Sequence, residues 1–128
     1  MNMNKEYADK LSNQVIGLAI DVHRELGPGL LESAYQQCLA FELSRHEIPF
    51  QLEKEVPVQY KEIQLDCGFR ADLIVDDCLV LELKAVEKLL PIHEAQLLTY
   101  LKLTEIRLGL LINFNVRLLK DGIKRMVL

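Results

Sequence analysis

The stretch LVLELKAV, residues 79–86, decides how this chain folds. Leu79, Val80, Leu81 and Leu83 mark a buried strand, yet Glu82 and Lys84 stand inside it. A carboxylate or an ammonium taken from water into a core costs several kcal/mol unless it is paired, hydrogen-bonded or bound to a metal. Side chains alternate faces along a strand, so Glu82 and Lys84 share one side while Leu79, Leu81 and Leu83 share the other.

The preceding run, IQLDCGFRADLIV at residues 63–75, carries the complementary pattern. Ala71, Leu73 and Val75 share one face; Arg70, Asp72 and Ile74 share the opposite one. A hairpin centred on Asp77 pairs Ala71, Leu73 and Val75 with Leu83, Leu81 and Leu79. That register gives one wholly apolar face and sets Asp72 opposite Glu82. A two-residue turn at Asp76-Asp77 would instead put Asp72 against Leu81 and mix charge into the apolar side. A one-residue slip reverses every side chain, so the patterning selects the first register.

Cross-strand Cβ atoms lie about 5 Å apart. Two carboxylates that close repel unless they share a proton or a cation. A divalent metal bridged by Asp72 and Glu82 satisfies both, and ligation by carboxylates alone favours magnesium (Mg2+) or manganese (Mn2+) over zinc. The plainer alternative is an ion pair from Lys84 to either acid on a solvated face.

Working outward, residues 4–26 place Leu11, Val15, Leu18, Ala19, Val22 and Leu26 at three- and four-residue steps, the pattern of an amphipathic helix. Gly27-Pro28-Gly29 ends it, and a second helix follows over residues 30–44. FQLEKEVPVQY (residues 50–60) reads as an outer strand, with Pro57 suited to an edge or a bulge. Pro91 opens a third helix that runs to Thr104. IRLGLLINF (residues 106–114) is another apolar strand, and Asn115 and Asp121-Gly122 predict a short terminal hairpin. The order α-α-β-β-β-α-β defines an α/β chain of the α+β type, a mixed sheet flanked by helices.

At 128 residues, half of them apolar, the chain forms one domain over residues 1–128 with a real core. The apolar runs fall short of the length of about 18 residues that a membrane span needs. The polar start MNMNKEYADK lacks a signal-peptide core, so a cytoplasmic protein is expected. Cys38, Cys67 and Cys78 are odd in number and lack CxxC spacing, which argues for structural free thiols. The net charge of −4 is unfavourable for a generic nucleic-acid coat. Charge is uneven, however: Lys102, Arg107, Arg117, Lys120, Lys124 and Arg125 make the last part basic, which permits a basic surface beside an acidic pocket.

Asp72 with Glu82-Leu83-Lys84 resembles the signature of the PD-(D/E)XK nuclease superfamily. Two further motifs sharpen the likeness. GLLESAY (Gly29, Glu32, Tyr35) is similar to the pattern that names the GxxExxY protein family, a branch of that superfamily. QLLTY (Gln96, Tyr100) is similar to the QxxxY motif of RecB-like nucleases. Ala71 departs from the superfamily's proline before the aspartate, at a position that does not touch the metal. The resemblance implies a restriction-endonuclease-like αβββαβ core with an extra N-terminal helix. It also implies a magnesium-dependent nuclease that hydrolyses phosphodiester bonds of DNA or RNA, alone, as a homodimer or with a partner protein. The rival expectation is a catalytically inactive nuclease-fold protein that binds nucleic acid or a partner.

On that resemblance Asp72 and Glu82 are metal ligands, the Leu83 carbonyl is a third, and Lys84 orients the attacking water. Glu32 reaches the metal site directly or through water, or else serves only the dipole at its helix start. Tyr35, one turn on, contacts the site or packs in the core. Gln96 and Tyr100 share a helix face and serve substrate contact and support of Lys84. His93 joins that face but is better read as a helix-start residue. Gly27 and Gly29 serve the turn; His23 and His46 are structural, and Leu97, Leu98 and Leu101 are core.

Overall fold

The computed structural model describes residues 2–128, and within them all side chains but those of residues 2–4 and Cys67. The reading of Cys67 as a structural thiol thus lies outside the described residues, whereas Cys38 and Cys78 are free and half-buried. Helix α1 spans Asn2–Leu26 and α2 Glu32–Arg45. Strands β1 (Phe50–Tyr60), β2 (Ile63–Val75) and β3 (Leu79–Lys84) follow, then α3 (Pro91–Thr104) and β4 (Leu108–Asn113). A short 3₁₀ helix, Leu119–Gly122, leads into β5 (Ile123–Val127), which completes the expected terminal hairpin.

The five strands lie in the order β1-β2-β3-β4-β5. Neighbours are antiparallel except β3 and β4, which run parallel because α3 crosses between them. β3 is therefore central, and Leu79 to Leu83 are all buried, as a strand covered on both faces demands. Leu11, Val15, Leu18 and Val22 of α1 and Leu39 and Leu43 of α2 cover one face, against Leu73, Val75, Leu79, Leu81 and Leu83. Leu97 and Leu101 of α3 cover the other, against Ile74, Val80 and Leu111. Each such leucine contributes roughly 1.5–3 kcal/mol on burial. Gly109 lets α3 come close: a Cβ there would stand 3.0 Å from a Leu97 methyl and 3.1 Å from one of Leu101. Among the described residues, no helix is long and apolar enough to cross a membrane.

The hairpin register follows the patterning, with Leu73 opposite Leu81 and Val75 opposite Leu79. Asp76 and Asp77 take left-handed backbone, φ 49° and 54°, to make the turn. Pro57 falls where the β1–β2 register shifts, between Val56 and Val58, and β1 is an edge strand, so its ring interrupts no inner ladder.

One expectation is corrected. Ala71 does not line the apolar face with Leu73 and Val75; it packs with Ile74 and Val80 on the α3 side. The alternation breaks at Asp72. Its neighbour on β1, Glu53, has a left-handed φ of 47°, and the ladder to β3 stops at the Leu73–Leu81 pair. The strand kinks there, and the residues before the kink exchange faces.

Candidate active site

Beyond the Leu73–Leu81 pair the two acids take over from the ladder. The Asp72 N–H donates to Glu82 Oε1 at 3.3 Å, and the Leu83 N–H donates to Asp72 Oδ2 at 2.8 Å. Each carboxylate is held against the other's strand, which fixes the pair more tightly than facing rotamers alone. Glu82 is only 7% exposed and Asp72 is half-buried.

Burial pushes both carboxyls up. For Glu82 the Asp72 charge adds to burial and takes it to about 8, against the pull of the Asp72 N–H and of Lys84. Asp72 is raised first by burial, opposed by the Leu83 N–H, raised again by the charge of Glu32, and drawn down by the bond with Glu82 and by Lys84. Without a cation, burial disfavours the charged form of both carboxyls. A pair that cannot ionise fully alone, made only of hard oxygens, fits a divalent cation.

Asp72 opens into a cavity of about 190 Å³ lined by Glu32, Ser33, Gln36, Glu53 and Leu83. Glu32 opens α2 and is exposed, so it stands at the wall of this cavity. Among the described residues, no group of three or more His, Cys, Asp or Glu side chains is placed to hold a metal ion together. The side chains already gathered are two, Asp72 and Glu82. Lys84 ends β3, half-buried, and its charge acts on both. Its backbone is anchored: the Phe114 N–H donates to the Lys84 carbonyl at 2.9 Å, and the buried Asn113 amide accepts from Val86 N–H at 3.0 Å and donates to Val86 O at 2.9 Å.

Tyr100 approaches from the α3 side. Its ring stacks on Phe69, centroids 3.8 Å apart, and burial, then the charges of Glu82 and Asp72, push its hydroxyl up. Gln96, one turn earlier, is exposed. His93 accepts a hydrogen bond from Leu90 N–H at 3.0 Å through Nδ1, the helix-start role expected of it.

Tyr35 packs in the core. It is fully buried, stacked on Phe114 with centroids 4.4 Å apart. Its hydroxyl donates to Gly27 O at 2.7 Å and accepts from Leu30 N–H at 3.1 Å, so both polar functions are spent on the turn. Gly27 and Gly29 there adopt φ of 74° and 100°, which suit only glycine without strain. The Gly29–Glu32–Tyr35 pattern thus works as a clamp: the tyrosine locks the turn from which Glu32 emerges. Tyr35→Phe removes both bonds from the turn and should cost about 1 kcal/mol. Thermal unfolding checks this, and an unchanged midpoint would refute the clamp.

Periodicity did not single out Gln36, Glu53 or Asn113. Gln36 Nε2 donates to the Asp72 carbonyl at 3.1 Å, satisfying a group freed by the broken ladder. Its signal was its place one turn after Glu32 on the same helix face. For Asn113 it was a polar residue closing an apolar strand, opposite Lys84 in the parallel register.

A mixed sheet with this order of elements, carrying an acid pair and a lysine at the end of its central strands, is a restriction-endonuclease-like domain. The chain belongs to the PD-(D/E)XK nuclease superfamily, whose family model matches residues 9–126. Nucleases of that superfamily generally use divalent metals. Searches of curated proteins and of solved structures return no match to this chain.

Proposed function

We propose that the protein is a magnesium- or manganese-dependent phosphodiesterase that cuts DNA or RNA, in the GxxExxY branch of its superfamily. The observation that carries this reading is the Asp72–Glu82 pair, each carboxylate bonded to a backbone N–H of the other's strand and both raised by burial, with Lys84 beside it. Asp72 and Glu82 would hold the ion, joined by the Leu83 carbonyl, with Glu32 acting through water from the cavity wall. When bound, the ion supplies polarisation of the scissile phosphate and a more acidic water. Lys84 orients that water and balances charge growing on the phosphoryl oxygens. A compact ammonium suits this task better than a planar guanidinium. Tyr100, whose hydroxyl feels both acids, would support the site from the α3 side, and Gln96, exposed one turn away, would contact substrate.

A second reading has one observation in its favour: among the described residues, no group of three or more His, Cys, Asp or Glu side chains is gathered for an ion. On that reading the domain binds nucleic acid or a partner protein, singly or as a homodimer, without cutting. Isothermal titration with Mn2+ separates the two. The intact protein should give a saturable heat that Asp72→Ala removes, and should nick labelled DNA or RNA in Mg2+ but not in EDTA. A protein that shows neither heat nor nicking on a panel of single- and double-stranded substrates would sink the enzymatic reading in favour of the second.

A further inference from the structure

Five of the fifteen lysines and arginines enter ion pairs among the described residues. Arg107 and Arg125 approach Asp9, Lys124 pairs with Glu94, Arg70 with Glu55 and Arg45 with Glu42. Arg24, Arg117 and Lys120 enter no ion pair among the described residues, and these three line one cavity of about 330 Å³. Among the described residues, no carboxylate lines it. Arg24 comes from the last turn of α1, Arg117 and Lys120 from the segment after β4, and the nearby turn backbone at Gly27 forms part of the wall. All three are exposed, so solvent screens their mutual repulsion, and a bound anion would balance what remains.

The walls are fixed. His23 Nε2 lies 2.8 Å from Val116 O, tying α1 to the segment that carries Arg117, and Leu119 beside Lys120 is buried in the core. Both walls are tied to elements of the candidate active site. The Gly27 turn is clamped by Tyr35 and continues into Glu32; the Arg117 segment follows Phe114, whose N–H binds the Lys84 carbonyl. β3 and β4 are parallel, so Lys84 and this segment leave the sheet at the same, carboxyl end, where open α/β sheets bind ligands.

We propose that the Arg24–Arg117–Lys120 cavity is a phosphate subsite that grips the sugar–phosphate backbone of a nucleic acid strand running on from the Asp72–Glu82–Lys84 site. The ligand is a phosphodiester anion, recognised by charge and not by base identity. This depends on the nuclease reading only for the nature of the strand; the anion site itself does not require cutting.

The test is binding of a fluorescein-labelled oligothymidine of about 20 nucleotides, followed by anisotropy in EDTA across a salt series. Arg117→Gln/Lys120→Gln should weaken binding about tenfold at low salt and make the log–log salt slope shallower by about 1.4, as two lost phosphate contacts to a single strand require. Lys61→Gln/Lys102→Gln removes the same charge from exposed positions outside the cavity and should change the slope by much less. Equal losses in the two variants, with both folded by circular dichroism, would overturn the subsite and leave overall charge as the cause. Loss confined to the cavity variant, in a protein that never nicks, would uphold the subsite while the nuclease reading falls. Nicking by the parent with unchanged oligonucleotide binding in the cavity variant would do the reverse.

Discussion

Glu82→Gln should make the metal-free protein more stable above pH 8, and the gain should fade to little near pH 4.5. The parent carboxyl is raised from 4.5 in the open chain to about 8 in the folded protein. Between those values the folded state holds a proton that the unfolded state has lost, so stability falls as pH rises. The favourable contribution is whole below about 4.5 and gone once pH passes about 8. A shift of this size corresponds to an order of several kcal/mol at about 1.36 kcal/mol per unit. Glutamine keeps an acceptor for the Asp72 N–H and carries no charge at any of these pH values, so the difference between variant and parent isolates the buried charge. Denaturant unfolding in EDTA at pH 5, 7 and 8.5 measures it. The companion result is that Mn2+ stabilises the parent at pH 8.5 far more than it stabilises the variant, because the ion supplies the compensation that the missing charge no longer needs. A stability difference that does not move with pH would mean that Glu82 is not the strained member of the pair.

The same two residues show what patterning could and could not disclose. Leu79, Leu81 and Leu83 facing Leu73 and Val75 left one register without charge in the core, and the structure has that register. Ala71 was misplaced because alternation assumes an unbroken strand. No residue type announces that Asp72 and Glu82 will replace ladder bonds with side-chain bonds, or that Glu53 will turn left-handed across from them. Tyr35 and Tyr100 make a parallel case. Helical spacing put each on a face with a polar motif partner, but spacing carries no depth: Tyr35 lies at 0% exposure on Phe114, while Tyr100 is half-buried and feels the acid pair. The basic cavity was hidden for a different reason. Basic residues near the end of the chain were visible as a composition bias, yet Arg24 joins them through tertiary contacts such as that between His23 and Val116, 93 residues apart.

Lys84→Ala should lower phosphodiester cutting by about 10²–10⁴-fold, the loss expected when a positioned charge or proton-transfer group is removed. The fall should lie in kcat and leave KM nearly unchanged, since the ammonium acts on charge that develops only in the transition state. The fold should survive: the side chain is half-buried at a strand end, and the bonds that seat this segment, from Phe114 N–H and through the Asn113 amide, belong to backbone and to neighbours. Lys84→Arg restores the charge but not the compact, rotatable donor, so it should recover little of the rate. Mn2+ binding distinguishes a chemical role from a scaffolding one. Lys84 draws both carboxyls down, so its removal raises proton competition at Asp72 and Glu82 while lifting its own repulsion of a cation. These effects oppose each other, and saturable Mn2+ heat should persist in the alanine variant at pH 8. A variant that nicks as fast as the parent would remove Lys84 from the chemistry; one that loses the heat as well as the rate would make it a residue that builds the acid pair's surroundings.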